Sequence, residues 1–287
     1  MDWSPVAMPM LKQRVITAVI MAGIFLAAIA WLPVPGLALL FGILVALGAW
    51  EWSGLAGWHH PIARVLYVMV VLSALAIVYV YCQLGVQPLR VQVQPLLGVA
   101  CLWWAFALLW VKGYPDSAVL WRTVLVRSVM GLLILVPGWM AAVYLLSFPP
   151  GGLLMVVLVI VVASADIGAY FTGKRFGKHK LALLVSPAKT WEGFWGGVAA
   201  CTLLAVLLWY LLPERAAHVG LASVVAVIVT TGLASVIGDL TVSMVKRESG
   251  VKDSGSLLPG HGGVLDRLDS LCAAAPVFAL GLLLAGW

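Results

Sequence analysis

Charge is what this sequence has least of. Only 10% of its 287 residues are Asp, Glu, Lys or Arg, against 63% hydrophobic. An average soluble domain carries about 25% charged and about 45–50% apolar residues. The deficit excludes disorder, a coiled coil and an ordinary soluble enzyme, because so few charges could not mask so much apolar surface. Cysteine is scarce too. Cys82, Cys101, Cys201 and Cys272 stand singly in apolar runs without paired spacing, and read as packing residues rather than disulfides or metal ligands. The five histidines add no ligand spacing, so nothing points to zinc. A Walker-type Gly-x-x-x-x-Gly-Lys-Ser/Thr loop is missing, as are internal repeats and low-complexity linkers.

What is present is long uncharged sequence. Seven runs lack Asp, Glu, Lys and Arg: 15–50, 65–89, 91–111, 128–165, 193–213, 216–238 and 270–287. A bilayer-spanning helix needs about 20 apolar residues. The first and fourth runs are long enough for two spans each. Both break near the middle, at Pro33, Pro35 and Gly36 and at Pro149, Pro150, Gly151 and Gly152, which is turn chemistry. The pattern predicts an all-α fold, a polytopic transmembrane helical bundle of about nine spans. A strand barrel would instead alternate in segments of about ten residues. Lys12 and Arg14 precede an apolar stretch, and Ala28-Ile29-Ala30 looks like a cleavage site, but the length of the run favours a retained first helix. Trp31, Trp50, Trp52 and Trp58 sit near run ends, where tryptophan commonly anchors at the interface.

Cations set the orientation. Segment 174–189 carries Lys174, Arg175, Lys178, Lys180 and Lys189 with no acid, and 246–267 adds Lys246, Arg247, Lys252 and Arg267. One helical pair through Pro213 separates them, so both segments should lie on one face, the cytoplasmic one. Counting back through nine spans places 112–127 and the amino terminus on that face as well, and the carboxyl terminus outside. The net charge of +6 is mostly this bias. It suits anionic headgroups and gives no reason to expect nucleic acid.

The acids are unevenly spread. Eight of eleven fall from Asp166 to Asp269, whereas the first half has Asp2, Glu51 and Asp116. Residues 1–150 therefore read as membrane scaffold, and 151–287 as the region of the site, with a polar cavity open to the cytoplasm. Asp166 and Asp239 each follow an apolar run, placing them at span ends, as solvated flanks or as residues facing a watery cavity. On a helix Asp239, Ser243 and Lys246 share one face, with Arg247 beside them. A carboxylate, a hydroxyl and two cations on one stripe suit metal and phosphate together. Downstream, Gly260, Gly262 and Gly263 flank His261, in a loop whose backbone could approach a ligand closely. Asp266 and Asp269 follow on one face as the last helix begins. They suit Mg²⁺, which commonly takes one or two carboxylates plus substrate phosphates; alternatively, they favour the helix amino terminus as plain caps. His261 by itself reads as a loop histidine. Ser186, Lys189 and Thr190 precede another span, where Lys and Thr can contact phosphate. Segment 166–178, with Tyr170 and Gly173, reads by itself as a basic loop that stops a helix.

Together these residues resemble the phosphatidate cytidylyltransferase family. Its signature runs Ser-x-apolar-Lys-Arg, then Lys-Asp-x-small, then apolar-Pro-x-His-Gly-Gly-apolar-x-Asp-Arg-apolar-Asp, and residues 243–269 match every specified position. Segments 166–177, 186–193 and 10–14 are similar to the family as well. The resemblance implies a nucleotidyltransferase that converts CTP and phosphatidic acid into CDP-diacylglycerol and pyrophosphate, in the bacterial cytoplasmic (inner) membrane with its site facing the cytoplasm. It implies Mg²⁺ as cofactor, with room for another divalent or an additional monovalent ion, and leaves a homodimer open. By position it implies Asp239, Asp266, Lys246 and Arg247 as catalytic residues. Asp239, Asp266 and Asp269 would be the metal ligands. Asp166, Ser186, Lys189, Thr190, Ser243, Lys252, Asp253, His261, Gly262, Gly263 and Arg267 would line the substrate sites. It also predicts that Asp266→Asn abolishes turnover while the chain still inserts. A CTP-dependent lipid kinase is the nearest rival, disfavoured by the complete signature. A transporter is disfavoured by acids at span ends and by unlike halves.

Overall fold

The structure, a computed structural model, describes residues 7–211, 219–258 and 262–286, with side chains from residue 16 onward. Its helices are α1 (Ala7–Trp31), α2 (Val34–Ala56), α3 (Pro61–Tyr81), α4 (Arg90–Lys112), the single turn α5 (Ala118–Trp121), α6 (Val124–Leu146), α7 (Gly151–Phe176), α8 (Trp191–Leu211), α9 (Leu221–Glu248) and α10 (Leu265–Leu284). Among the described residues, eight of these, α2 to α4 and α6 to α10, are long and apolar enough to cross a membrane. The expected nine counted α1, whose described apolar part, Ile16–Trp31, falls short of that length. The protein is an all-α polytopic membrane bundle.

The turns fall where Pro and Gly predicted them. α1 ends at Trp31, and α2 starts after Pro33, whose extended backbone forms its cap. α6 ends at Leu146, and α7 begins at Gly151. Polar caps set other starts: Thr123 accepts from the Val126 amide at 3.4 Å ahead of α6, and His60 from the Ile62 amide at 3.3 Å ahead of α3.

Two expectations about helix ends do not hold. Asp166 does not close its helix, nor does 166–178 form a loop: α7 continues ten residues beyond Asp166 to Phe176. Asp239 likewise lies inside α9, nine residues before Glu248. Hydropathy marks where a helix leaves hydrocarbon, but backbone hydrogen bonds carry it on into water, and Lys174 and Arg175 favour its carboxyl end. The sequence reading also lacked the antiparallel hairpin of β1 (Lys180–Ala182) and β2 (Ser186–Thr190), in register Lys180 to Thr190 and Ala182 to Ser186.

α10 packs against α2, α4, α6, α7 and α9, so both halves of the chain contribute to one core. Backbones approach closely where glycines permit, as small residues do between membrane helices. A Cβ at Gly168 of α7 would meet the Gly196 carbonyl of α8 at 2.6 Å, and one at Gly238 of α9 would meet the Asp269 carbonyl of α10 at 2.5 Å. All four cysteines are free. Of the expected interfacial tryptophans, Trp31 is 84% exposed, but Trp52 is fully buried and donates its indole N–H to the Arg127 carbonyl at 2.7 Å. Trp58 donates to Ser128 Oγ at 2.9 Å. Trp52 thereby joins α2 to α6, and Trp58 ties the α2–α3 turn to α6.

One end of the bundle gathers the polar connections. The carboxyl ends of α2, α4, α7 and α9 meet there with the starts of α6, α8 and α10. Arg127 of α6 donates to the Leu55 carbonyl at 2.9 Å and to Ser249 Oγ at 3.1 Å, and lies 4.0 Å from Glu248. Tyr114 donates to Glu248 at 3.4 Å; burial and that carboxylate push its hydroxyl above the ordinary tyrosine range. The common face expected for segments 112–127, 174–189 and 246–267 is therefore present. Lys12 and Arg14, at the amino terminus placed on that face, lie outside the described side chains.

Candidate active site

The α9 stripe forms as its spacing predicts. Ser243 donates to Asp239 Oδ1 at 3.0 Å, one turn apart on the same face. The other oxygen, Oδ2, meets Lys189 Nζ at 2.7 Å. Lys189 comes from β2, so the hairpin delivers a cation to a carboxylate held by the helix. Arg247 fixes the hairpin in turn: its Nε donates to the Val185 carbonyl at 3.1 Å and its Nη1 to the Val251 carbonyl at 3.3 Å. Predicted to grip phosphate, Arg247 spends donors on holding the β-turn against α9. Thr190 has a similar task. Its Oγ1 accepts from the Gly193 amide at 3.1 Å, capping α8.

The second centre is the start of α10. Asp266 Oδ1 receives Lys246 Nζ at 2.7 Å, and Oδ2 receives the Ser254 and Gly263 amides, each at 2.9 Å. The pair is dry, with side chains 9% and 4% exposed for Lys246 and Asp266. Gly262 adopts a left-handed conformation (φ 81°), and a Cβ there would meet Asp266 Oδ2 at 2.7 Å, so the glycine lets the loop fold over the carboxylate. Asp269, one turn on, is buried and accepts from the Ser270 amide at 2.7 Å. It lies within electrostatic reach of Asp239, Lys246 and Arg267.

Asp166 completes the cluster from α7, where it feels Lys189, Asp239 and Arg267. Beside it a cavity of about 340 Å³ is lined by Asp166, Tyr170, Lys174, Lys189, Thr190 and Phe194, among others. Polar groups and aromatic walls around one cavity are what a ligand site offers. The structure thus brings together Asp166, Lys189, Asp239, Ser243, Lys246, Asp266 and Asp269. Lys252, Asp253 and Arg267 are exposed. Ser186 opens β2 opposite Ala182 and is not part of the cavity lining. His261 lies outside the described residues.

The metal ligands expected from the sequence do not converge as a trio. Among the described residues no three His, Cys, Asp or Glu side chains stand close enough together to hold a metal ion, because Asp266 is turned to Lys246 and two loop amides. Asp239 and Asp269 remain, across the close α9–α10 crossing. Two carboxylates completed by phosphate oxygens fit the way Mg²⁺ is commonly bound.

The sequence reading left Glu51 in the scaffold. It is 8% exposed and reaches the signature loop from α2: Oε1 accepts from the Val264 amide at 3.0 Å, and Oε2 from the Leu265 amide at 2.9 Å and Ser254 Oγ at 2.8 Å. The available signal was a lone acid closing a 36-residue uncharged run, between Trp50 and Trp52.

Residues 12–285 match the cytidylyltransferase family. A phosphatidate cytidylyltransferase of Pseudomonas aeruginosa is 45% identical over 278 residues, covering 97% of this chain and 99% of the relative. One from Haemophilus influenzae is 39% identical over 287 residues, covering 94% and 98%. An uncharacterised Escherichia coli protein, YnbB, is 40% identical over 154 residues, covering 49% of this chain and 50% of its own. With a family match over nearly its whole length, and two relatives matched almost end to end, the chain belongs to the cytidylyltransferase family.

Proposed function

We propose that the protein transfers the cytidylyl group of CTP to phosphatidic acid, giving CDP-diacylglycerol and pyrophosphate. The observation that carries this reading is the meeting of Lys189, Asp239 and Ser243 with Lys246, Asp266 and Asp269 at one end of a membrane bundle, beside a cavity whose wall includes Asp166, Lys174 and Lys189. A lipid acceptor and a water-soluble nucleotide can both reach such a site.

A phosphate oxygen of phosphatidic acid attacks the α-phosphorus of CTP. A new P–O bond forms there, the bond from the α-phosphorus to the bridging oxygen of the β-phosphate breaks, and pyrophosphate leaves with the electron pair. The nucleophile is already ionised near neutral pH, so no strong base is needed. The obstacle is repulsion between two polyanions, which positioned cations offset. Lys189 and Lys174 would receive phosphate oxygens in the cavity, and Lys252 and Arg267 would draw anions towards it. Lys246 holds Asp266 and keeps the α9 stripe and α10 in register. Asp239 and Asp269 would hold Mg²⁺, which when bound neutralises phosphate charge and polarises the α-phosphorus. We place the site on the cytoplasmic side of a bacterial inner membrane, because the clustered basic segments follow the positive-inside bias and CTP is cytosolic.

Pyrophosphate release tests the reading. Purified protein in liposomes with Mg²⁺ should release pyrophosphate only when CTP and phosphatidic acid are both present. Formation of CDP without pyrophosphate, with a lipid alcohol as acceptor, would identify a kinase instead.

A further inference from the structure

Glu51 is a buried carboxyl group with no cation among its hydrogen-bond partners in the described residues. Its carboxylate is held by two backbone amides and one hydroxyl, all from residues 254–265. Two glycines wall it in: a Cβ at Gly255 would meet Oε1 at 2.5 Å, and one at Gly263 would collide with Oε2 and with Ser254 Oγ. The first amides of a helix have no partner inside it, and its amino terminus favours negative charge. Glu51 supplies both needs to α10 from a helix more than two hundred residues away in sequence.

The same loop is gripped from its other side by Asp266. Ser254 is shared, its hydroxyl going to Glu51 and its amide to Asp266. Gly263 donates to Asp266, while the next two amides donate to Glu51. Two carboxylates therefore clamp one short stretch, and where that stretch sits decides where α10 starts. Asp266, Arg267 and Asp269 occupy the first turn and a half of α10, so any shift or rotation of its first turn displaces all three. We infer that Glu51 is a positioning residue for the transfer reaction, setting the start of α10 and through it the aim of Asp266 and Asp269. The inference rests on the function proposed above.

Gln is nearly isosteric with Glu but turns one acceptor into a donor, which must then face an amide or the Ser254 hydroxyl. Asp keeps the charge on a shorter stem. Purified full-length Glu51→Gln and Glu51→Asp should be compared with the unaltered protein for melting temperature, kcat, KM for CTP, and hydrogen exchange of peptides covering 262–269. We expect Glu51→Gln to lose about 100-fold in kcat, the scale on which small misplacements of reacting groups act. Exchange across 262–269 should be faster without substrates, and Glu51→Asp should recover part of both. A folded Glu51→Gln protein with unchanged kcat, KM and exchange would overturn the inference, as would a lowered melting temperature with kcat per folded molecule intact. If Glu51→Gln does not fold, Ser254→Ala removes one donor from the same carboxylate. It should lower kcat about tenfold, the worth of one hydrogen bond to a charged group, and unchanged kinetics there would count equally against the inference. An unaltered protein that makes no CDP-diacylglycerol would defeat the function reading instead, with the exchange comparison still reporting on the clamp.

Discussion

Lys189 and Asp239 illustrate how single side chains divide the work. The ion pair spans two elements at 2.7 Å and is partly exposed, at 24% and 31%, so water screens it and it contributes little to stability. Its value is electrostatic placement at the cavity. Lys189→Met should therefore melt near the unaltered protein yet lose roughly 100-fold in kcat/KM, the cost typical of removing one positioned charge-stabilising group. Lys246 and Asp266 are the opposite case. Both are buried, and removing one partner strands the other, at a cost of about 3–5 kcal/mol. Asp266→Asn, expected from the sequence only to abolish turnover, should in addition lower thermal stability markedly, as read by a melting curve in detergent. A mutant that melts unchanged would show the pair to be structurally dispensable.

At the scale of elements, the β1–β2 hairpin and the α7–α8 seam carry the cavity. Arg247 ties the hairpin to α9 through the Val185 carbonyl. Arg247→Lys keeps the charge but cannot span Val185 and Val251 together, and should cost roughly tenfold in kcat/KM, the worth of one charged hydrogen bond. If Arg247→Lys were silent, the hairpin would be held by other contacts. The seam depends on Gly193, Gly196 and Gly197 of α8: a Cβ at Gly197 would meet the Ala165 carbonyl at 2.8 Å. Gly197→Leu should part the helices beside Asp166, lowering both melting temperature and activity.

Elements also show what the sequence could and could not reveal. The Asp239, Ser243 and Lys246 stripe was legible because an α-helix imposes a fixed angular step, so spacing alone puts residues on one face. The proline-marked turns were legible for similarly local reasons. The hairpin was not: its strands have three and five residues, too short for alternation to register. Nor did the polar charges of α7 end the helix, since a span that leaves the bilayer keeps its own hydrogen bonds. Glu51 escaped because its partners lie on the far side of the chain, and nothing in local periodicity pairs α2 with the loop before α10.

For the whole molecule, the main consequence is a sidedness. The ends of α2, α4, α7 and α9 and the starts of α6, α8 and α10 meet through Glu51, Arg127, Arg247 and Glu248. Lys174, Lys189, Lys246 and Lys252 lie at that same end, and the α6–α7 turn near Pro149 lies at the other. In right-side-out vesicles from intact cells, a cysteine at position 252, in a background with the native cysteines replaced, should resist an impermeant thiol reagent until the membrane is opened, whereas one at 149 should react at once. The reverse pattern would put the site on the wrong face for cytosolic CTP.

The central claim is chemical, and the fate of one phosphate tests it most directly. CTP labelled at either the α- or the γ-phosphate would be incubated with the purified protein, phosphatidic acid and Mg²⁺, and the lipid extracted into organic solvent. Cytidylyl transfer predicts that α-label enters the lipid fraction and γ-label stays in water as pyrophosphate. Label from the γ position in the lipid, with the α-label left behind, would contradict the account and make the protein a kinase.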